Sequence, residues 1–263
     1  MTTSKGALRA ETDGALRWII IDNEPRLNAF TRDMWAAVAD HIEAAERDPH
    51  VRVIVLRGAG SKAFSAGADI TEFAGNRTGG AAKAYDAINH QAFMRVFHCT
   101  KPTIAMVSGY CYGGGCEIAI CCDFRIAADT AQFSIPAARL GLGYNPRWIA
   151  PMLGVVSATK AKEMLYTARR YPGAQALTMG LVNELHPADH LEAATRRFAT
   201  EIAANAPLTI SAAKAAITAM TAGRDSIDMA SLDAAVDDCF ASADYAEGQA
   251  AFIAKRQPVF KGK

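Results

Sequence analysis

The chain has 263 residues, a formal net charge of +1, 21% charged residues and 51% hydrophobic residues, enough apolar material for a sizeable core in one large domain or two small ones. This balance excludes a general nucleic-acid binder, which carries a basic stripe, while a local basic pocket for a phosphorylated ligand stays open. No apolar run approaches the roughly 18 residues that span a bilayer, and Met1–Glu11 has neither a secretory h-region nor a transit-peptide pattern, so the expected location is cytoplasmic, with no membrane partner.

The opening reads as a hairpin, with Asp13–Gly14 as the turn signal and Ala15–Asp22 as a β-branched strand. Asn23–Asn28 is a polar loop. Thr31 is placed to cap a helix from about Arg32 to Asp48, with apolar spacing at Met34, Val38 and Ile42, and Pro49 ends it. Val51–Gly58 is a near-continuous apolar run of the kind parallel sheets bury. A Gly- and Ser-containing loop, Gly58–Asp69, follows, then a helix over about Ala81–His98 and a second buried strand over Thr103–Ser108. Gly109–Gly115 is a turn-rich loop, Cys116–Cys122 begins a helix, and Phe124–Ala128 and Ala131–Ile135 are further strands. From Pro136 onward the pattern is mainly helical, with Val182–Leu185 at most a short strand. Strands alternating with helices and then giving way to helices define an α/β class with a helical C-terminal region.

Five of the six cysteines lie between Cys99 and Cys122, but no CxxC pair occurs and no histidine sits at ligand spacing, so they read as reduced, buried small hydrophobes rather than a metal site. The six histidines are scattered and none is paired with a Ser or Cys in a nucleophile motif, which argues against a hydrolytic triad. Two glycine-bearing loops remain, Phe64-Ser65-Ala66-Gly67-Ala68-Asp69-Ile70 and Gly109-Tyr110-Cys111-Tyr112-Gly113-Gly114-Gly115-Cys116-Glu117. Each leaves a buried strand toward a helix, whose first N–H groups are unpaired and carry a partial positive charge. One N–H from each loop would suffice to hold a developing oxyanion. Neither loop matches a dinucleotide fingerprint or a phosphate-binding P-loop.

Together the two loops resemble the oxyanion-hole motifs of the crotonase, or enoyl-CoA hydratase/isomerase, superfamily. The resemblance extends over most of the chain: Pro25-Arg26-Leu27-Asn28-Ala29-Phe30 is similar to the family's loop beside CoA, Ala174–Val182 to its helical stretch, and Asp244-Tyr245-Ala246-Glu247-Gly248 through Phe260 to its C-terminal signature. It implies a ββα spiral (residues 1–200) with a C-terminal helical trimerisation region (201–263), assembled as a homotrimer or hexamer. It also implies an acyl-CoA substrate, with CoA as part of the substrate and no separate cofactor or metal.

Residue by residue, the resemblance makes the N–H groups of Ala68 and Gly114 the oxyanion hole and Glu117 a general acid/base. From the residues alone, a carboxylate at that place also serves simply to complement a helix N-terminus. The resemblance places CoA contacts at Arg26, Leu27, Ala66, Asp69 and Ile70, and places Phe260 and Lys261 toward the CoA of a neighbouring subunit. For Arg26, a solvated loop arginine accounts for the sequence as well.

The sequence departs from the family pattern at two points. Hydratases with two catalytic glutamates carry the second about twenty positions after the first, behind a proline; here that place reads Pro136-Ala137, and an alanine moves no proton. The loop Gly141-Leu142-Gly143-Tyr144-Asn145 resembles that of methylmalonyl-CoA decarboxylases, making Tyr144 either a group near the reacting carbon or a residue packed at the pocket rim. Ala68 stands where those decarboxylases have a histidine. The expected function is therefore enoyl-CoA hydratase-like lyase chemistry through a thioester enolate. The alternatives are a methylmalonyl-CoA-type decarboxylase or a non-catalytic acyl-CoA-binding protein.

Overall fold

Gly14, at φ +56°, makes the tight reversal that joins β1 (Ala7–Asp13) to β2 (Leu16–Asp22) as an antiparallel pair. A computed structural model of the chain describes residues 6–69, 80–221 and 227–263. Helix α1 (Arg32–Arg47) starts where the Thr31 hydroxyl accepts the Met34 N–H, the side-chain cap that satisfies one orphan donor of a first turn.

Three ladders extend β2. It pairs in parallel with β3 (Val53–Gly58), which pairs with β5 (Thr103–Val107), which pairs with β7 (Phe124–Ala128). Short β10 (Glu184–His186) closes the far edge, giving the order β1-β2-β3-β5-β7-β10. The alternation of these strands explains their all-apolar sequences. Ile19, Ile21, Ile54, Leu56, Ala105 and Val107 point into the core under α1, α2 (Gly80–Phe97) and α3 (Gly114–Cys121). The residues between them, Trp18, Val53, Val55, Ile104, Met106 and Ile126, pack on the other face against Leu191, Phe198 and Ala199 of α7 (Leu191–Ala203).

A second, smaller sheet is built from three-residue strands: β4 (Ala63–Ser65), β6 (Tyr110–Tyr112) and β8 (Gln132–Ser134), all parallel, with the antiparallel β9 (Tyr171–Pro172) at its edge. The chain thus repeats a long strand, a short strand and a helix: β3-β4-α2, then β5-β6-α3, then β7-β8. Both loops expected from the sequence, Gly58–Asp69 and Gly109–Gly115, therefore contain strands, and α3 starts at Gly114 rather than Cys116. Three residues are too few to display a period of two, so β4 and β6 are invisible to pattern reading. Two single-turn 3-10 helices, Ala137–Leu140 and Pro146–Trp148, and α4 (Ile149–Val155) also lie outside the expected elements.

Beyond these come α5 (Ala158–Thr167), α6 (Gly173–Thr178), and the C-terminal α8 (Pro207–Thr221), α9 (Met229–Ala241) and α10 (Ala243–Ile253). Lys214 of α8 reaches the core, donating from Nζ to Asp123 Oδ2 (2.7 Å) and to the Lys101 carbonyl (2.8 Å). Asp123 also accepts from the Thr103 N–H and hydroxyl, so one carboxylate ties α8 to the starts of β5 and β7. No helix among the described residues is long and apolar enough to cross a membrane.

Asn28 joins the two sheets. It is 1% exposed and adopts φ +56°, a conformation asparagine tolerates better than most residues. Its Nδ2 donates to the carbonyls of Ala59 (2.9 Å) and Ala63 (2.8 Å), and its Oδ1 accepts the Asn23 N–H. Asn28→Ala strands these buried groups and is expected to lower unfolding free energy by about 2–3 kcal/mol, readable as a shift in urea midpoint without a change in slope.

Candidate active site

Parallel pairing of β4, β6 and β8 aligns their C-terminal ends, so the three turns that leave them stack at one edge of the small sheet. The Gly113 N–H donates to the Ser134 carbonyl (2.8 Å), fixing the second turn to the third. The first turn is held from the other side: the Phe30 N–H donates to the Gly67 carbonyl (2.7 Å) and the Asp69 N–H to the Phe30 carbonyl (2.8 Å). Those two bonds skip Ala68. Its N–H, like that of Gly114 at the first position of α3, has no partner among the described residues.

Gly67 shows how close the two turns are. It sits at φ +96°, and a Cβ there would lie 2.8 Å from the Tyr112 carbonyl and 3.2 Å from the Gly114 nitrogen. Only glycine combines that conformation with that approach. Gly115 is equally confined, since a Cβ would stand 2.6 Å from the Ser65 carbonyl. The sequence-predicted pair, Ala68 and Gly114, is thus brought to one wall of one cavity.

That cavity has a volume of about 320 Å³. The three turns supply Ala66–Ala68, Gly113–Gly114 and Ile135–Ala137. The rest of the lining includes Asp86, Asn89 and Phe93 of α2 and the segment between Leu140 and Trp148. An aromatic series runs around it: Phe30 stacks on Trp35 (3.8 Å), Trp35 meets Phe93 edge-on (5.3 Å), Phe93 meets Trp148 (5.2 Å), and Trp148 meets Tyr144 (5.6 Å).

Glu117 lies in the first turn of α3, 2% exposed, on the cavity wall. Its Oε2 accepts a hydrogen bond from the Tyr144 hydroxyl, and its Oε1 has no partner. Burial pushes the carboxyl up to about 8, an effect the Tyr144 hydrogen bond only partly offsets. Tyr144 in turn is raised well above its usual range, first by burial and then by the neighbouring Glu117. Tyr144 also lines the cavity, with its hydroxyl on the Glu117 carboxylate. Ala137 lines the same cavity with a methyl group where a second carboxylate was in question.

Arg125 secures the other end of α3. Fully buried, it donates from Nη1 to the carbonyls of Ala119 (3.2 Å) and Cys122 (2.7 Å) and from Nε to the Leu181 carbonyl (2.6 Å). A cation among the last carbonyls of a helix is electrostatically favourable. Four cysteines, Cys111, Cys116, Cys121 and Cys122, are free and buried beside this helix, as the sequence suggested.

The expected CoA contacts divide into two groups. Arg26 Nη1 donates to both carboxylate oxygens of buried Asp69 (2.9 Å each), and the Ala66 N–H donates to the Leu27 carbonyl (2.9 Å), so Arg26, Leu27, Ala66 and Asp69 form one cluster beside the cavity. Leu27 holds φ +52° there. Ile70 lies outside the described residues. Phe260 and Lys261 are elsewhere: the Phe260 carbonyl accepts from Arg52 (3.3 Å), the Lys261 N–H donates to Asp244 (2.6 Å), and neither lines the cavity of Glu117.

Sequence reading missed Trp35, Asn89, Phe93 and Trp148. A signal existed for one of them. Tyr85, Asn89 and Phe93 recur at four-residue spacing on α2, so a single amide interrupts an otherwise apolar stripe. Trp35 gave no signal beyond its place on the apolar face of α1, and Trp148 lies in a segment with no period at all.

A buried carboxylate, two unpaired amides and several aromatic side chains thus share one cavity. Among the described residues no group of three or more His, Cys, Asp or Glu side chains converges to hold a metal. The profile of the enoyl-CoA hydratase/isomerase family matches residues 11–263, and the chain belongs to that family, which acts on acyl-CoA thioesters. A crotonyl-CoA hydratase from Syntrophomonas wolfei subsp. wolfei is 35% identical, the match covering 96% of this chain and 97% of that protein. A carnitinyl-CoA dehydratase from Salmonella arizonae is 32% identical over 97% of this chain and 98% of its own length. A solved structure of a putative enoyl-CoA hydratase/isomerase family protein from Hyphomonas neptunium superposes with a TM-score of 0.93 at 31% identity, over the whole of both chains. The ββα spiral is the crotonase fold that the sequence resembled.

The raised Glu117 carboxyl has a direct consequence for stability. Its folded-state value of about 8 exceeds its ordinary value of 4.5. The unfolded chain therefore ionises first as pH rises, and stability is lost between those values. Glu117→Gln keeps a partner for Tyr144 and removes the titration. The variant's stability advantage over the parent, measured by urea unfolding, is expected to grow from about pH 4.5 to about pH 8 and to level off above it.

Proposed function

We propose that this protein catalyses reversible addition of water to the double bond of a 2-enoyl-CoA thioester, through an enolate held by the N–H groups of Ala68 and Gly114. The observation that carries the proposal is the buried, unpartnered Oε1 of Glu117 on the same wall as two unpaired amides. The thioester oxygen accepts both N–H groups, which strengthen as negative charge develops on it. Ionised Glu117 takes a proton from water at Oε1 while the water oxygen bonds to the β carbon. The double-bond electrons pass to the thioester oxygen, forming the enolate. Protonated Glu117 then returns the same proton to the α carbon. Water is added in full and Glu117 is regenerated, so one carboxylate does what two share in hydratases with a second glutamate. Tyr144 holds Oε2 throughout and leaves Oε1 to move the proton. These steps are complete without a metal or redox group, CoA being part of the substrate.

Arg26, Leu27, Ala66 and Asp69 serve as CoA contacts in this scheme. The bidentate bond to Asp69 fixes the Arg26 guanidinium, whose side chain stays half-exposed, at the cavity side. Phe260 and Lys261 reach CoA only from a neighbouring copy. A homotrimer, or a hexamer of two trimers, accounts for Phe240, Tyr245 and Phe252, which line an exposed apolar hollow of about 680 Å³ in the C-terminal helices. Light scattering is expected to give three or six times the 28.0 kDa chain mass, and Phe252→Asp to shift it to one.

Decarboxylation of a carboxyacyl-CoA is the second reading, favoured by Ala137, since loss of CO2 makes the same enolate without a second carboxylate. Methylmalonyl-CoA and crotonyl-CoA separate the two. Hydration of crotonyl-CoA without CO2 release from methylmalonyl-CoA is expected, and the reverse result sinks the proposal. Because the ionised form of Glu117 is the base, kcat/KM for hydration should rise about tenfold per pH unit from pH 6 and level off above about 8. Glu117→Gln should lower kcat by roughly a hundredfold to ten-thousandfold. An acyl-CoA-binding protein without catalysis would show no turnover in the parent.

A further inference from the structure

The cavity of Glu117 holds two more buried polar atoms without partners. Asn89 is 4% exposed, and its Oδ1 has no hydrogen bond; the indole Nε1 of Trp148 is likewise buried and unpaired. Both residues line the cavity. Neither is needed for the steps proposed above.

Their neighbours show that this is not a general feature of the pocket. Trp35, the other indole on the cavity, donates from Nε1 to the Tyr85 hydroxyl (3.2 Å). Tyr85 sits one turn before Asn89, and Phe93 one turn after it packs edge-on against Trp148. Within this stripe an amide interrupts the apolar side chains, and the same cavity is lined by an indole whose N–H is unanswered. Buried polar groups are ordinarily paired, and an orphaned pair on a ligand-sized cavity is met by the ligand.

We infer that Asn89 and Trp148 form a polar subsite for a hydroxyl group carried on the acyl chain, beyond the reacting carbons. The indole N–H donates to the hydroxyl oxygen. The Asn89 amide accepts the hydroxyl proton at Oδ1, so a single hydroxyl satisfies both. Asp86, one turn before Asn89 on the same wall and exposed at the rim, disfavours an acidic tail there and leaves a neutral hydroxyl as the better fit. The specificity follows from the same physics: an unsubstituted chain buries both groups unpaired, whereas a hydroxylated chain pairs them.

This inference rests on the acyl-CoA reading but not on hydration itself. The test compares ω-hydroxylated but-2-enoyl-, pent-2-enoyl- and hex-2-enoyl-CoA with their unsubstituted counterparts. For at least one length, the parent is expected to favour the hydroxylated thioester in kcat/KM by roughly tenfold to a hundredfold. Asn89→Leu and Trp148→Phe, the second keeping the ring against Phe93 and Tyr144, should each reduce that ratio toward one. A parent with no preference at any length, or variants that lower both substrates alike, would overturn the subsite. If none of these thioesters is turned over, calorimetry with butanoyl-, pentanoyl- and hexanoyl-CoA and their ω-hydroxylated forms reads the subsite directly. Tighter binding of a hydroxylated ligand at one length, lost in Asn89→Leu, supports it even as hydration fails, and equal affinities in the parent at every length reject it.

Discussion

The parallel register of three very short strands governs this molecule. Because β4, β6 and β8 run the same way, with one register shift between β4 and β6, the turns after them leave at one edge and meet. An antiparallel partner at any of these places would send one turn to the opposite edge. The long sheet provides the stiffness that three-residue strands lack. Its strands β2, β3, β5 and β7 are largely buried, and β3, β5 and β7 lead in turn into β4, β6 and β8 of the smaller sheet. Asn28 then locks the entry turn to both.

Glycine at Gly67 and Gly115 converts proximity into contact, since backbone stands where a Cβ would be. The result is a wall made of main chain, with N–H groups presented at Ala68 and Gly114. Side chains from α2 and the Leu140–Trp148 segment complete the lining. Between them the environment is apolar enough to hold Glu117 mostly protonated near neutrality. The Tyr144 hydrogen bond tempers that effect without removing it. The absence of a carboxylate at Ala137 places the whole of the proposed proton traffic on one oxygen.

Much of this was legible beforehand. The buried strands announced themselves as unbroken apolar runs, α1 by its Thr31 cap, and the two amide turns by glycine-rich segments following such runs. The resemblance that joined those turns supplied what spacing alone does not: that Ala68 and Gly114, 46 positions apart, face the same space. Hidden from sequence were elements too short to show a period, namely β4, β6, β9 and the 3-10 turns. So was the side-chain wall, because Trp35 and Phe93 look like ordinary core residues, and Trp148 sits in a segment whose path is set by its contacts rather than its pattern. Tyr144 was ambiguous for the same reason. Its hydrogen bond to Glu117 is a tertiary fact.

The cysteines around α3 acquire a use from their position. Cys116 and Cys121 bracket Glu117 on one short helix, and each is reduced and sealed from solvent. A thiol reagent in bulk water reaches them only when that helix lifts from its bed. The rate at which they react therefore clocks the transient openings of the very element that carries the carboxylate, giving the protein an intrinsic reporter of local breathing that requires no added label.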